Sequence, residues 1–322
     1  METGDRRRVR PSARHLCAFD RAGTVVGVLP LFEVGGLFGR RLVSMPMRDR
    51  GGVAAVDDRA ARALLEAACS LARARKARYL EIKCLDPMPE AWTAGTDWKI
   101  GSGWVTTRVD LTPGRDAVWG ALNKKSLRWS INKARKNGVE VYADASLGAM
   151  RTFHELFVKT RCRMGIPPFP WRLFEAIHRH VIVPGDGELL LAHHEGVPVH
   201  GLVSFHSKPA FVPAYAAPQF APQKLYANEL ILWTSMERAL AAGFATYDFG
   251  ADSVRQESLL FFKRRWNGVQ HPMHWHYHLP QGGEVPDFDS SGPRYDRVRA
   301  VWRKVPRPVA RALGAFVTRQ LS

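Results

Sequence analysis

Acidic residues are scarce in this chain of 322 residues. There are 30 aspartates and glutamates against 47 lysines and arginines, so the formal net charge is +17. Such an excess of positive charge predicts an anionic partner: nucleic acid, a phosphorylated substrate or a membrane surface. Cysteine is also scarce, and none of the four cysteines forms a CxxC pair. This spacing argues against a zinc ribbon or a dithiol motif and indicates reduced thiols in a cytosol.

The chain lacks a long apolar run. Its most apolar stretch, residues 24–38, is interrupted by Glu33 and by glycines, and it is too short to span a bilayer. The basic N-terminus, residues 6–10, is not followed by an apolar segment of signal-peptide length. We therefore expect a cytoplasmic protein. With 46% hydrophobic residues, the chain can bury a sizeable core.

Several catalytic motifs are missing. The sequence contains no GxSxG nucleophile elbow, no Walker lysine loop, no GxGxxG and no HExxH. No glycine-rich pyrophosphate loop of the acetyl-CoA type follows residues 188–205. Covalent catalysis is therefore unsupported, and direct transfer of an acyl group from a bound donor is the simpler hypothesis.

The first hundred or so residues alternate between strand and helix patterns. Residues 15–21 and 24–34 flank Ala22-Gly23 and predict a hairpin. Asp57 can cap a helix that extends to residue 76, and residues 79–85 predict a strand.

A second unit begins at residue 104, and its pattern predicts an α/β or α+β sheet domain. The predicted strands are residues 104–111, 139–143, 188–193, 198–205, 210–216, 246–249 and 272–279. The predicted helices are residues 123–137, 147–164, 171–180, 224–242 and 257–266. We expect three parts: an N-terminal domain of residues 1–103, a C-terminal catalytic domain of residues 104–280 and a basic helical tail of residues 281–322.

The helix predicted over residues 123–137 is strongly basic, because residues 117–139 contain six cations and no acid. A helical wheel places the cations to one side of the apolar stripe. Those singled out are Lys124, Arg128, Arg135 and Lys136. A one-sided array suits phosphate groups, and an ordinary solvated face is the alternative. The absence of a glutamate to form i,i+4 pairs favours the anion site.

Two further segments can carry chemistry. Asp248 lies in TYDFG at the end of a predicted buried strand, where sheet enzymes place site residues. The alternative is an aspartate that caps a turn. Lys263 lies among bulky aromatics, where a partly desolvated cation stabilises an oxyanion or a phosphate. The alternative is a surface lysine that keeps its charge in water.

Three histidines, His274, His276 and His278, alternate along one face of the last predicted strand. A metal site is conceivable there. No carboxylate or cysteine stands at a supporting spacing, so we interpret them as sheet or pocket residues and expect no metal cofactor.

The tail, residues 294–322, carries eight basic residues against one acid, Asp296. Pro306 and Pro308 divide it into two short amphipathic helices. These are either solvated helices packed on the body of the protein or surface helices that contact anionic lipid or RNA.

Taken in order, these segments resemble a known family. Residues 128–139 resemble its R-x-x-I-x-K-A-x-K-x-G-V segment, and residues 160–167 its T-x-x-R-x-G-x-P element. Asn228 stands at the start of a helix similar to its long helix. Residues 243–250 resemble G-x-x-x-x-D-F-G, and residues 262–266 resemble F-K-x-x-W/F. The set is similar to the FemAB/FemX aminoacyltransferases of the acetyltransferase-like (GNAT) superfamily, in particular to the FemAB-like proteins of exosortase and exopolysaccharide loci.

The resemblance implies an α/β fold of tandem GNAT-like domains with mixed central sheets, of which the N-terminal one is abbreviated here. It implies transfer of an aminoacyl group from aminoacyl-tRNA to an amine on a peptidoglycan precursor, without a metal. Lys263 matches the family's lysine near the reacting ester, and Asp248 is the second catalytic candidate. The residues expected to bind substrate or phosphate are Lys124, Arg128, Arg135, Lys136, Asn228 and Arg264. The coiled-coil tRNA-binding arm of some family members is absent.

We therefore predict an N-acyltransferase that uses aminoacyl-tRNA or acyl-CoA as donor and a peptidoglycan or exopolysaccharide precursor as acceptor. Two alternatives remain open at this point. One is an acyl-CoA-dependent GNAT N-acetyltransferase, and the other is a non-catalytic nucleic-acid- or membrane-associated protein on the same fold. The basic tail, residues 294–322, predicts peripheral association with an anionic membrane at its inner face.

Overall fold

A computed structural model describes residues 12–35, 39–46, 48–219, 223–286 and 296–321, with side chains to residue 314. The basic N-terminal residues 6–10 and the ends of the tail at 294 and 322 lie outside the described residues. The chain divides into two compact units. The first comprises Met1–Trp104, Pro272–Asp289 and Phe316–Ser322, and the second comprises Val105–His271 and Ser290–Ala315.

The elements up to residue 101 are short strands around one long helix. They are β1 (Ser12–Ala13), β2 (Leu16–Phe19), β3 (Val25–Leu29), β4 (Phe32–Val34), β5 (Arg41–Val43), β6 (Ala54–Ala55), α1 (Asp58–Ala74), β7 (Leu80–Cys84), α2 (Glu90–Thr93) and β8 (Lys99–Gly101).

The second half of the chain has longer elements. Its strands are β9 (Trp104–Asp110), β10 (Val139–Ala143), β11 (Gly187–His194), β12 (Val197–Ser207), β13 (Ala210–Ala216), β14 (Thr246–Ser253), β15 (Val269–Pro272) and β16 (His274–His278). Its helices are α3 (Arg115–Ala121), α4 (Trp129–Lys136), α5 (Leu147–Met164), α6 (Trp171–Ile177), α7 (Ala227–Ala241), α8 (Glu257–Arg264), α9 (Asp296–Arg303) and α10 (Arg307–Leu321). π turns stand at Lys124–Arg128 and His178–Ile182, and a 3₁₀ turn stands at Gln223–Leu225.

The first unit follows the predicted pattern closely. The hairpin is confirmed, since β2 and β3 pair antiparallel. Helix α1 begins where predicted, because the Asp57 carboxylate accepts a hydrogen bond from the Ala60 amide at 2.7 Å. Its apolar stripe, which includes Leu64 and Leu65, belongs to the core that also contains Leu80 and Ile82 of β7.

The last strand of the sequence joins this first unit. Strand β16 lies between β7 and β8 in a six-stranded sheet of order β1-β4-β5-β7-β16-β8. The predicted domain of residues 104–280 included this strand in the second unit instead. The strand inserts here because β7 is paired with β5 on only one side and leaves a free row of backbone groups on the other.

Two of the three histidines on β16, His276 and His278, have protein partners in this unit. The His276 Nε2 accepts a hydrogen bond from the Met88 amide at 3.1 Å, and burial lowers the pKa of His276 to about 4. The His278 Nδ1 lies 3.2 Å from the Asp97 carbonyl. Among the described residues, no group of three histidines, cysteines or carboxylates could hold a metal ion. The interpretation as sheet residues therefore accounts for His276 and His278.

The second unit is a seven-stranded sheet of order β10-β11-β12-β13-β14-β9-β15 with helices on both faces. Side chains of successive residues on β11 enter different cores. Leu190 and Ala192 pack with Ile131 of α4 and Trp233 of α7. Leu189 and Leu191 pack instead with residues of α5 and α6. This is the mixed α/β fold that the sequence predicts.

No helix within the described part of the chain is both long enough and apolar enough to cross a membrane.

Candidate active site

Strands β13 and β14 form a parallel pair in an otherwise antiparallel part of the sheet. Strands β10 to β13 pair antiparallel, whereas β13 and β14 pair parallel. Among the described residues, that parallel register pairs Ala210 with Thr246 and Phe211 with Tyr247, near the start of both strands. Strand β14 continues to Ser253. Ligand sites in open sheets lie at the carboxyl ends of parallel strands, so this edge is the candidate site.

Asp248 lies on β14 and is fully buried. Its carboxylate accepts hydrogen bonds from the Thr106 hydroxyl at 2.5 Å, the Arg108 Nε at 3.0 Å and the Gly250 amide at 2.9 Å. These bonds tie β14 to β9 and fix the turn at Gly250, which has φ of 77°. A buried carboxylate with three donors favours a positioning role, and its predicted catalytic role stays a prediction.

Lys263 lies on α8, is 6% exposed and reaches into the backbone of β14. Its ammonium donates to Asp252 Oδ2 at 2.5 Å, to the Phe249 carbonyl at 2.9 Å and to the Gly250 carbonyl at 3.4 Å. It also lies 5.6 Å from the centre of the Phe249 ring. The sequence-based expectation of a lysine among aromatics, withdrawn from solvent, matches this environment.

Asp252 was not among the residues predicted from the sequence. It is 5% exposed and forms the buried ion pair with Lys263. Asp252 follows Asp248 by four residues on β14, with the positive-φ Gly250 between them. The spacing D-x-G-x-D is the sequence signal that identifies it, once the strand is known to extend beyond Phe249.

The first turn of α7 lies next to the end of β13 in the chain. Asn228 in this turn has its Oδ1 3.0 Å from Nε2 of His200 on β12, whose Nδ1 lies 2.9 Å from the Gly201 carbonyl. Burial lowers the pKa of His200 to about 4, so the ring is neutral at pH 7. A neutral imidazole donates a hydrogen bond from only one of its two nitrogens. His200 is thus a buried, uncharged partner of the Asn228 side chain, and it was not predicted from the sequence.

Glu229 stands beside Asn228 and is, after Asp252 and His200, the third residue of this region that was not predicted from the sequence. Burial raises the pKa of its carboxyl above the ordinary value of 4.5, and the charge of Arg265 opposes this shift. Arg265 follows Lys263 by two residues, so the electrostatic coupling links the first turn of α7 to the end of α8. A carboxyl group with a raised pKa in the first turn of α7, coupled to the end of α8, is a candidate general base.

The basic helix forms with one change from the prediction. Asn123 begins it, since its Oδ1 accepts from the amides of Lys125 and Ser126 at 3.0 and 3.1 Å. The next residues form a π turn before α4 continues as a regular helix. A π turn contains more residues than an α turn. The helical wheel used in the sequence analysis assumes α-helical spacing, so it places Lys124 incorrectly relative to Arg128 and Arg135.

The cations of this helix differ in their solvent exposure and in their ion-pair partners. Lys124 and Lys136 are exposed, and Arg128 is half-buried with an Nε that has no hydrogen-bond partner. Arg135 pairs with Glu237 of α7 at 3.6 Å, and Glu237 also accepts from Arg115 at 2.6 Å. The basic helix has no glutamate of its own to pair with Arg135, and Glu237 of α7 takes that place. Arg264 is exposed on α8, next to Lys263.

A cavity of about 370 Å³ lies elsewhere in the second unit. It is formed by α5, α6 and α10, and its wall includes Arg151, His154, Trp171 and Arg311. None of the predicted site residues contributes to it.

Comparisons with known proteins find a family match inside the second unit. Residues 123–263 match the family described as acetyltransferase (GNAT) domain, and this segment contains Lys263, Asp248, Glu229 and the basic helix. Acyltransferases of that family use an acyl donor as co-substrate. No curated protein sequence matches the chain.

Solved structures add the overall architecture. FemX is similar over 84% of this chain and 89% of its own, with a TM-score of 0.65 and 19% identity. The C-terminal domain of a putative lysylphosphatidylglycerol synthetase from Agrobacterium fabrum covers 84% of both chains at 14% identity, with a TM-score of 0.57. A tandem GNAT protein from the clavulanic acid biosynthesis pathway covers 82% of both chains at 11% identity, with a TM-score of 0.51. The predicted tandem GNAT-like fold and its resemblance to FemX are therefore confirmed.

Proposed function

We propose that this protein transfers an aminoacyl or acyl group from a bound donor to an amine on a cell-envelope precursor, either peptidoglycan or exopolysaccharide. The donor is aminoacyl-tRNA or acyl-CoA. The observation that carries the proposal is the buried ammonium of Lys263, which binds Asp252 and the Phe249 carbonyl toward the carboxyl end of β14. The GNAT domain match over the same residues supports it.

In the proposed reaction the acceptor amine attacks the carbonyl carbon of the donor ester or thioester. A C–N bond forms, and the C–O or C–S bond to the carrier breaks, with its electron pair leaving on the carrier oxygen or sulfur. Two groups then have work to do: one must stabilise the oxyanion, and one must take the proton from the amine.

Lys263 is the group proposed to stabilise the oxyanion. Its contact to the Gly250 carbonyl, at 3.4 Å, is longer than those to Asp252 and to the Phe249 carbonyl, at 2.5 and 2.9 Å. That weak bond is the one that Lys263 exchanges for the oxyanion, while the bonds to Asp252 and Phe249 keep the ammonium in place. Asp248 acts one step away by holding the Gly250 turn.

Glu229 is the group proposed to accept the amine proton. Burial raises the pKa of this carboxyl, which makes its ionised form a stronger base than an ordinary carboxylate, and the charge of Arg265 opposes the shift. The same proton then passes to the departing oxygen or sulfur, so the carboxylate is restored at the end of the cycle.

The testing experiment is a single-turnover transfer assay with two donors, charged tRNA and acyl-CoA, and a panel of amine-bearing envelope precursors. Turnover with either donor supports the proposal, and the donor that works separates the aminoacyl from the acyl-CoA alternative. Absence of transfer with both, by protein that still binds RNA, would favour the non-catalytic alternative.

Lys263 needs a variant that separates chemistry from folding. The Lys263→Met/Asp252→Asn double variant removes both charges of this ion pair together, so neither is left buried without the other. We expect a rate at least about 100-fold lower than wild type, as for loss of an oxyanion donor, at nearly unchanged thermal stability. The single Asp252→Asn variant keeps the ammonium but leaves it buried without its anion, so it should lose stability. It is used as the control at a temperature where circular dichroism shows it folded, and there it should transfer faster than the double variant.

We also propose that the tail associates peripherally with anionic membrane. Helices α9 and α10 expose the apolar side chains of Val298, Val301, Val309 and Leu313 beside their arginines. Apolar side chains flanked by cations are the pattern of helices that lie in the lipid headgroup region.

A further inference from the structure

An exposed tryptophan stands at the start of α4. Trp129 is 50% exposed, although tryptophan buries more apolar area than any other side chain when it is covered. Its ring meets Tyr226 edge to face, with the ring centres 5.2 Å apart. The contact with Tyr226 restricts the Trp129 ring and leaves about half of the side chain in solvent.

Tyr226 holds an unusual backbone conformation to make this contact. Its φ is 54°, in the left-handed region that non-glycine residues adopt at a cost of about 1–3 kcal/mol. It immediately precedes α7, so the same residue begins the helix that carries Asn228 and Glu229. The strained residue therefore connects the aromatic pair to the candidate active site.

Cations continue from Trp129 along the same face of the helix. Lys133 and Lys136 stand four and seven residues after Trp129, which places them on its side of α4, about 6 and 10 Å further along the axis. Both are exposed, and the described structure gives neither of them a hydrogen bond or ion pair to a carboxylate. A half-exposed aromatic face followed by two lysines is the arrangement that stacks a nucleobase and neutralises its phosphates.

We infer that Trp129 is the stacking platform for the adenine of the acyl donor, with Lys133 and Lys136 against the phosphates that follow. This inference rests on the proposed function, because both of its donors present an adenosine. Aminoacyl-tRNA ends in an adenosine that carries the aminoacyl ester, and coenzyme A carries an adenosine 3′-phosphate 5′-diphosphate. The shared ligand chemistry is a phosphorylated adenosine.

The first experiment measures binding alone, by calorimetry with adenosine 3′,5′-bisphosphate as probe. The Trp129→Ala variant should bind between roughly 5-fold and 150-fold more weakly than wild type, the range of base–aromatic stacking. Trp129→Phe, which keeps an aromatic face, should recover most of the affinity. The matched control is Phe19→Ala, which removes an equally exposed aromatic ring from the first unit and should bind as wild type does.

The second experiment identifies the source of the adenosine. Coenzyme A is compared with 4′-phosphopantetheine, and an RNA hairpin ending in CCA is compared with the same hairpin ending in an abasic nucleotide. Trp129→Ala should weaken binding of the complete ligand of one pair and leave its base-free counterpart unchanged. Equal losses for the complete and base-free ligands would show that the ring serves only to pack the helix, and would overturn the inference.

The third experiment separates this inference from the proposed function. If the wild type transfers acyl groups and Trp129→Ala changes neither the affinity for the probe nor the KM for the donor, the stacking inference is wrong and the proposed function is retained. If the wild type shows no transfer but Trp129→Ala binds the probe more weakly than the wild type does, the stacking inference is retained and the proposed function is wrong. The expected result is a raised KM for the donor with kcat changed little, since the ring contacts a non-reacting part of the donor.

Discussion

Some residues at the candidate site fix the backbone, and others are proposed to act on the substrate. Asp248 has three hydrogen-bond donors on a fully buried carboxylate, so it fixes backbone. Lys263 and Asp252 form a buried ion pair that also binds two backbone carbonyls. Buried pairs of this kind contribute little net stability together, but either charge left alone is costly.

That asymmetry predicts a stability difference at one position. Lys263→Ala leaves Asp252 buried without its cation, and we expect a loss of about 3–5 kcal/mol in the free energy of unfolding. Lys263→Met/Asp252→Asn should lose markedly less. Urea denaturation followed by circular dichroism measures both. Equal losses for the two variants would mean that the lysine stem, and not the charge pair, holds β14 against α8.

Glu229 predicts a pH dependence. Because the pKa of this carboxyl is raised in the folded protein, the base form is gained, and the rate rises, as the pH passes upward through a value above 4.5. The same shift means that ionised Glu229 disfavours folding, so its contribution to the stability improves as the pH falls through the folded pKa. A profile of kcat/KM against pH should show an acidic limb that disappears in Glu229→Gln.

Arg265 supplies the check on that assignment. Its charge lowers the pKa of Glu229, so Arg265→Gln should move the acidic limb to higher pH and leave its height unchanged. A limb that stays in place in Arg265→Gln would assign it to another group.

At the scale of elements, the sequence predicted correctly those features that depend on residues close together in the chain. The Asp57 cap, the hairpin at Ala22-Gly23 and the end of α5 at Gly165 all follow from side chains within a few residues of each other. The candidate site was predicted in part for the same reason, since Lys263 and Asp248 each stand in a distinctive short segment.

Features that depend on contacts between distant parts of the chain could not be predicted from the sequence. The partner of β16 is β7, which precedes it by some 190 residues, and a strand pattern carries no information about its partner. Glu229 and His200 gain their perturbed pKa values from burial between elements, and Glu237 reaches Arg135 from another helix. Asp252 was missed because the predicted strand ended at Phe249, whereas hydrogen bonds from Lys263 hold the backbone beyond it.

Gly165 allows a test of one such contact between elements. It ends α5 with φ of 73°, and a Cβ there would lie 2.4 Å from the Arg299 carbonyl oxygen of α9. Gly243 also has positive φ, 72°, but open space around it. Gly243→Ala should cost about 1–2 kcal/mol, the penalty of the left-handed conformation alone.

Gly165→Ala should cost more than Gly243→Ala, since the carbonyl must move as well. The difference, measured by thermal unfolding, reports the packing of α9 on α5. Equal costs would show that α9 yields without resistance at this point.

At the scale of the whole molecule, the net charge of +17 is distributed over features with different partners. We propose the phosphates of a donor as the partner of the basic helix, and a lipid surface as the partner of the tail. Both attractions weaken with salt, but the membrane interaction retains an apolar part.

The tail predicts a membrane-binding result. Replacing Val298 and Val301 by Asp should lower the partition coefficient onto vesicles containing phosphatidylglycerol by roughly tenfold or more for each valine, because each loses its apolar burial. Val183→Asp, at an equally exposed valine away from the tail, is the control and should bind as wild type. Vesicle sedimentation measures the effect, and unchanged binding of the tail variant would make the tail a packing element only.

The measurement that bears most directly on the central claim is single-turnover transfer at the site of Lys263. Wild-type protein, Asp252→Asn and Lys263→Met/Asp252→Asn are each mixed with a labelled donor and an amine acceptor, and the amide product is followed in time. We predict product from the first two and a rate at least about 100-fold lower from the third. Equal rates from all three folded proteins would contradict a role for Lys263 in acyl transfer.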